Sequence, residues 1–115
     1  MGNGFLPQLM KGPYPLHLIQ ISLLVKPRAL GVFLIYNEKK EVIFVGRSDE
    51  DLAKELKKFL DKGKFFAFEY AISPREAYIS KCKYFHQYEK NPNFIRKDHP
   101  LPPSGEEIKC QVCGL

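Results

Sequence analysis

The chain has 115 residues, of which 44% are hydrophobic and 27% are charged. This composition excludes an intrinsically disordered chain and supplies one hydrophobic core but not two. The formal net charge is +5, from 18 Lys and Arg against 13 Asp and Glu, and such a basic balance suits a phosphate-bearing partner such as nucleic acid.

The sequence predicts neither a membrane span nor secretion. The apolar stretch from Leu16 to Val25 is interrupted by His17 and Gln20 and is too short to cross a bilayer. It also lacks the residue order of a signal peptide. The three cysteines are an odd number and all lie in the last third of the chain, which argues against a secreted disulfide scaffold. We therefore expect no membrane partner and a cytoplasmic location.

The first half of the chain predicts an irregular arm followed by extended segments. Residues 1–15 contain three glycines and three prolines, which indicates irregular structure. Residues 16–25 are predicted to form a first strand or an extended segment that ends before Pro27. The apolar runs 31–36 and 42–46, separated by a polar turn, predict two antiparallel strands joined as a hairpin.

A helix is predicted directly after the hairpin. Ser48 is a favourable N-cap residue, and the three acidic residues that follow it suit the positive end of the helix dipole. Gly63 is predicted to end this helix. Four apolar residues recur at helical spacing and are predicted to form one buried stripe: Leu52, Leu56, Phe59 and Leu60.

The second half predicts one more strand and one more helix. Residues 65–72 are rich in aromatic side chains and have the length of a strand. Ser73 is predicted to cap a helix that has Pro74 at its first position and Glu76 completing a capping box. This helix is predicted to end near Glu89.

The order of elements indicates three segments along the chain. Residues 1–15 are the predicted arm, 16–90 the predicted folded domain, and 91–115 a Pro-rich tail that ends in Cys-x-x-Cys. We expect the tail to pack on the same domain, because 115 residues leave no room for a second core. No internal repeat is present.

The ordered set of motifs resembles the GIY-YIG nuclease superfamily. The two name-giving tripeptides of that family correspond to Gly31-Val-Phe33 and Phe44-Val-Gly46, and Arg47 follows the second. Ser73-Pro-Arg-Glu-Ala77 at the start of the last helix and the final Cys-x-x-Cys are also similar to small stand-alone members. The resemblance runs from about Pro13 to the C-terminus. It implies an α+β fold with a small central three-stranded, mainly antiparallel sheet flanked by helices.

The resemblance also implies a reaction, metal-dependent cleavage of a phosphodiester bond, and four residues for it. Family members use two tyrosines, an arginine and a metal-binding glutamate. Carried over to this chain, the tyrosines fall on Phe33 and Phe44, the arginine on Arg47 and the glutamate on Lys81. Phenylalanine has no hydroxyl with which to move a proton, and an ammonium group repels a divalent cation.

The sequence therefore predicts a catalytically degenerate domain that binds nucleic acid without efficient cleavage. DNA is favoured over RNA. Arg47 is the predicted phosphate contact, and Lys81 and Lys54 are predicted to add positive charge. Lysines of the first helix also fit a solvated surface with helix-stabilising ion pairs. Two alternatives stay open: an atypical active endonuclease that uses Mg²⁺ or Mn²⁺, and a protein-interaction module.

A second set of residues predicts a structural zinc site. Cys82 and His86 are four residues apart on a predicted helix, so they share one face. Cys110 and Cys113 form the Cys-x-x-Cys of the tail, and the four residues together match a Cys₃His zinc site. His99 is a rival for the fourth position. Four protein ligands would close the site, so the zinc would hold the tail to the last helix. The alternative is a buried, apolar Cys82 with free thiols in the tail.

Overall fold

Four strands and three helices form an α+β fold in the computed structural model, which describes residues 10–95 of the chain. The strands form one antiparallel sheet in the order β1-β4-β2-β3, so the strand that begins at Gly31 lies inside the sheet. The bounds are β1 Lys11–Pro15, α1 Leu18–Leu24, β2 Gly31–Tyr36, β3 Val42–Ser48, α2 Leu52–Lys57, β4 Phe65–Tyr70 and α3 Pro74–Tyr88.

The predicted hairpin is confirmed as β2 and β3. Phe33 lies opposite Gly46 and Leu34 lies opposite Val45 in the register of the two strands. The Asn37 side-chain oxygen accepts hydrogen bonds from two backbone N–H groups of the turn, which stabilises it. Both faces of β2 are covered, and this burial explains a continuous apolar run in place of alternation.

The sheet has four strands, not the three that the sequence predicts. The additional strand β1 lies inside the segment 1–15, which is predicted to be irregular because of its glycines and prolines. Its residues pair with β4, where Tyr14 lies opposite Phe66. The two prolines of β1 are tolerated because it is an edge strand, on which one row of N–H groups needs no partner.

Most of the segment 16–25 forms helix α1, Leu18–Leu24, and not the predicted strand or extended segment. In α1 the buried residue Ile21 is followed four positions later by the buried Val25, a helical spacing. A short apolar run fits a strand and a buried helix equally well by composition, which is why the sequence prediction is wrong here. Three apolar side chains of this helix point away from the core and are 50%, 70% and 76% exposed: Leu18, Ile19 and Leu23.

The helix after the hairpin begins later than predicted and ends at Lys57, before the predicted stop at Gly63, because tighter three-residue turns follow it. Its N-cap is Asp51, whose carboxylate accepts from the backbone N–H of Lys54 at 3.3 Å. The predicted cap, Ser48, instead accepts from the N–H groups of Glu50 and Asp51 and stabilises the turn that leads into α2. Competition between neighbouring Ser and Asp residues therefore moves the start of the helix by one turn.

The last helix follows its predicted local signals. Ser73 accepts from the backbone N–H of Glu76 at 3.1 Å, and Pro74 occupies the first turn of α3. The helix ends at Tyr88, one residue before the predicted limit. These signals are local, so they do not depend on the rest of the fold.

The sheet separates the core into two layers. One layer joins α1 and α2 to the sheet through residues such as Phe33 and Ile35 of β2, and we call this side the α1/α2 face. The other layer joins α3 to the alternate residues Val32 and Leu34, and we call this side the α3 face. Alternation along β2 and β4 therefore decides which layer a side chain enters, whereas a bulge in β3 places the adjacent Ile43 and Phe44 in one layer.

The glycines of the two tripeptides are needed for close packing. A Cβ atom at Gly46 would overlap the ring of Phe33, and a Cβ atom at Gly31 would overlap the backbone oxygen of Glu69. The Phe33 ring itself contacts two other phenylalanine rings, Phe44 and Phe59. Neither glycine can therefore gain a side chain without a shift of the core.

We expect Gly46→Ala to lower the free energy of unfolding by about 1–3 kcal/mol, because the added methyl group overpacks the core against Phe33. Urea denaturation followed by circular dichroism measures the change. Addition of Phe33→Leu, which removes the ring, should recover part of the loss. Equal stability of Gly46→Ala and wild type would contradict this account of the packing.

Candidate functional site

The positions that correspond to the family tyrosines lie in the hydrophobic core. Phe33 is 1% exposed and Phe44 is 8% exposed. Their ring centroids are 5.9 Å apart, and both rings contact Phe59, at 5.6 Å and 4.5 Å. This aromatic cluster belongs to the α1/α2 face of the sheet. Its rings fill space and present no hydroxyl group to solvent or to a substrate.

Arg47 lies on the opposite side of the sheet from those two rings. Gly46 faces Phe33, and alternation along β3 places the next residue on the α3 face. The Arg47 guanidinium lies 5.4 Å from the centroid of the Tyr78 ring in α3, and its Nε donates to Asp49 at 3.2 Å. The arginine side chain is 15% exposed.

The predicted lysines are divided in the same way. Lys81 is half-buried on α3, three residues after Tyr78, and so lies on the same side of that helix. Lys54 is exposed on α2, a helix that packs on the α1/α2 face. The structure thus places Arg47 and Lys81 on one side of the sheet and Phe33, Phe44 and Lys54 on the other.

A buried carboxylate lies on the same face as Arg47, and sequence reasoning misses it. Glu69 of β4 is 7% exposed. In the register of the sheet it pairs with Val32 of β2, and Val32 pairs in turn with Arg47 of β3. Two strand spacings therefore separate the backbones of Glu69 and Arg47, about 10 Å. The available signal is a single charged residue inside the aromatic run of 65–72.

The partner of this carboxylate is a tyrosine of α3. The Tyr84 hydroxyl donates to Glu69 Oε1 at 2.8 Å. Burial, and then the hydrogen bond to Glu69, raise the pKa of Tyr84 well above its ordinary value of 10.0. The tyrosine therefore stays protonated at neutral pH, where it anchors the carboxylate and does not act as a base.

Two residues of the predicted zinc set lie on α3. Cys82 is buried, and His86 follows it by four residues on the same helix. His86 Nδ1 lies 2.7 Å from a carboxylate oxygen of Glu89. Because an ionised carboxylate only accepts, Nδ1 carries the proton, and a neutral ring then has its lone pair on Nε2. Metal-binding histidines commonly have such a carboxylate behind them.

The other predicted ligands, Cys110, Cys113 and the rival His99, lie outside the described residues. Within residues 10–95, no three side chains of the metal-binding types are grouped closely enough to hold an ion. Cys82 and His86 thus supply at most two ligands from this part of the chain, and the other two would come from beyond it.

Comparison with known proteins identifies no relative of this chain. A scan against protein-family models, a search of curated proteins and a search of solved structures all give no match for this chain. Among the described residues, no helix combines the length and the apolar character needed to cross a membrane. The geometry of the site and the motif resemblance are therefore the two grounds for a function of this protein.

We expect Phe33→Tyr to destabilise the fold by about 1–3 kcal/mol without adding activity, because its hydroxyl would enter the apolar core beside Gly46. Chemical denaturation measures the loss. Phe59→Tyr is the matched control, since Phe59 is half-buried and its hydroxyl can reach water. A Phe33→Tyr variant as stable as the control would indicate a polar pocket at this position.

Proposed function

We propose that this chain is a GIY-YIG-like domain that binds nucleic acid, DNA in preference to RNA, and does not cleave it efficiently. The supporting observation is the division of the signature positions between the two faces of the sheet. Phe33 and Phe44 pack in the core, whereas Arg47 lies on the α3 face. A proton acceptor and a phosphate-binding cation therefore do not meet at these positions.

The binding role is argued from Arg47 and its surroundings. The guanidinium rests against the Tyr78 ring at the end of β3, so its orientation is fixed before any ligand arrives. A phosphate group would compete with Asp49 for the same donors and would gain charge-assisted hydrogen bonds. Lys81 adds charge on this side, and Lys54 would act only with a ligand that extends past α2.

One observation favours the alternative of an active nuclease. Glu69 supplies a carboxylate on the same face as Arg47, and a hard divalent cation such as Mg²⁺ or Mn²⁺ prefers such oxygen ligands. Against this alternative, Tyr84 already occupies one oxygen of the carboxylate. A single carboxylate is also a poor site for such a cation, so the non-cleaving function is preferred.

A different observation favours a protein-interaction module. Leu18, Ile19 and Leu23 of α1 expose apolar surface, and Ile72 after β4 is 85% exposed. Such exposed apolar residues are often contact sites for other proteins. This function is compatible with nucleic acid binding, because α1 lies on the side of the sheet away from Arg47.

We expect the wild-type protein to bind duplex DNA and to leave supercoiled plasmid intact with Mg²⁺ or Mn²⁺. Arg47→Gln should weaken binding about tenfold, the effect of losing one charge-assisted contact. Fluorescence anisotropy and a gel-based nicking assay measure the two properties. The control is Lys62→Gln. Lys62 is exposed and lies two residues before Lys64, whose N–H donates to the Tyr36 carbonyl at the other end of β2.

Two outcomes would contradict this proposal in different ways. Metal-dependent nicking by the wild type that is lost in Glu69→Gln would establish the alternative nuclease. Absence of any DNA binding, in a protein that is folded by circular dichroism, would leave the protein-interaction module as the function.

We further propose that zinc joins Cys82 and His86 of α3 to Cys110 and Cys113, with His99 as the rival ligand. The donor set fits, because thiolate and imidazole are the ligands that zinc prefers, and Glu89 orients the imidazole. The role of the zinc would be structural. Reduced thiols that hold zinc suit the cytoplasm, which is the proposed location.

We expect purified protein to contain about one zinc ion per chain by mass spectrometry of the metal content, as four protein ligands require. Cys82→Ser and Cys110→Ser should lose the metal and lower the melting temperature. His17→Gln is the control, since His17 precedes α1 without a side-chain capping hydrogen bond and is outside the set. Comparison of His86→Gln with His99→Gln identifies the fourth ligand. A zinc-free wild type of equal stability would contradict the proposal.

A further inference from the structure

The positive charge of the first third of the chain is not balanced by acidic residues. Residues 1–37 contain no Asp or Glu, and the first carboxylate of the sequence is Glu38. The described part of this segment comprises β1, α1 and β2. Its cationic side chains include Lys11, Lys26 and Arg28. Local electrostatics on this part of the surface therefore favour an anionic ligand.

Two of these lysines converge on one aromatic ring. The Lys11 ammonium is 5.2 Å from the centroid of the Tyr70 ring, and the Lys26 ammonium is 5.6 Å from the same centroid. Lys11 begins β1 and Lys26 follows α1, so the fold brings together charges that are distant in sequence. Like charges held near one ring repel each other, and an anion between them would relieve that repulsion.

The ring at the centre of this group is held in place. The Tyr70 hydroxyl accepts from the backbone N–H of Lys26 at 3.0 Å and donates to the carbonyl of Leu24 at 3.4 Å. Its ring also packs edge-on against Phe68, with centroids 5.3 Å apart. Tyr70 thereby links the end of α1 to the sheet and fixes where the Lys26 backbone lies.

Neither lysine has a carboxylate partner in the part of the chain that the structure describes. The ion pairs found there join Arg47 to Asp49, Lys58 to Glu55 and His86 to Glu89. Arg47 thus has an acidic neighbour with which a ligand must compete, whereas within residues 10–95 the ammonium groups of Lys11 and Lys26 contact aromatic rings. The two lysines are the better phosphate contacts on this criterion.

This group lies at the same end of the sheet as Arg47 but on the α1/α2 face, to which Tyr70 belongs. Tyr70 lies opposite Gly31, and Gly31 lies opposite Ser48, which follows Arg47 in β3. A chain of nucleotides that crosses this end of the sheet can reach both groups. The Lys11–Tyr70–Lys26 group therefore extends the proposed binding surface beyond the position that the motif marks.

We propose that Lys11, Lys26 and Tyr70 form a binding site for single-stranded nucleic acid, a proposal that rests on the proposed function. In the complex the two ammonium groups move from the ring to successive phosphates, and the half-buried tyrosine ring that they uncover offers an aromatic surface to an unpaired base. Sites that bind single-stranded nucleic acid commonly combine positively charged side chains with aromatic rings. Bases inside a duplex are stacked on each other and cannot use the ring, so single strands are preferred here.

The test measures how binding of a short fluorescein-labelled oligothymidine depends on KCl concentration. Each phosphate contact on a single strand contributes about 0.7 to the slope of log affinity against log salt. We therefore expect Lys11→Gln with Lys26→Gln to reduce the magnitude of the slope by about 1.4. Lys62→Gln with Lys64→Gln, an equal loss of charge at the other end of the sheet, is the control and should change it less.

Two further variants separate charge and ring. Lys11→Arg with Lys26→Arg keeps both charges and should keep the wild-type slope. Tyr70→Leu removes the ring and should weaken oligothymidine binding about tenfold, the effect of losing one stacked base. The same change should weaken duplex binding less, because bases inside a duplex are already stacked on each other and do not use the ring. Circular dichroism confirms that each variant is folded before its affinity is compared.

Three results would overturn the inference, and they differ from failure of the proposed function. If the glutamine pair matches its control while Arg47→Gln still weakens binding, nucleic acid binds elsewhere and the proposed function stands. If neither single-stranded nor duplex DNA binds, both proposals fail. If phosphatidylserine vesicles bind through Lys11 and Lys26 and oligothymidine does not, the site recognises membrane phosphates.

Discussion

The double-sided burial of β2 is the constraint on which the rest of the structure depends. This strand pairs with β3 on one side and β4 on the other, and helices cover both of its faces. Each residue from Val32 to Ile35 must therefore fit a packed layer, and successive residues enter different layers. A side chain of β2, β3 or β4 therefore points either toward α3 or toward α1 and α2, but not toward both. The separation of the aromatic cluster from Arg47 is a direct result.

The two faces of the sheet have accordingly taken different physical roles. On the α1/α2 face, phenylalanine rings at the signature positions add packing and need no hydrogen-bond partner. On the α3 face, the buried Glu69 carboxylate accepts a hydrogen bond from Tyr84, and the Arg47 guanidinium lies against the Tyr78 ring. The buried carboxylate of the described residues thus lies in the layer that α3 covers. The lysines around Tyr70 lie where the sheet meets α1, at the margin of the apolar layer.

Local signals in the sequence predict the hairpin and α3, whereas contacts between distant segments decide the remainder. Ser73 and Pro74 act on their own helix turn, so α3 begins where the sequence predicts. Strand β1 exists because β4 offers a partner more than fifty residues away, and no local pattern indicates that pairing. Arg47 is identified from its motif, but its separation from Phe33 depends on strand alternation across a register that only the structure gives. The role of Glu69 is invisible in sequence for the same reason.

Both outer strands of the sheet are poor templates for a further strand. Strand β1 has prolines at positions 13 and 15, which cannot donate, and begins with a lysine. At the other edge, the chain after α3 returns to β3, where the Ile95 N–H donates to the Ile43 carbonyl and the Asn91 side chain donates to the Val42 carbonyl. A sheet whose two margins are obstructed in this way resists edge-to-edge aggregation. The aromatic-rich strands in the middle of the sheet are thereby shielded from pairing with a strand of another molecule.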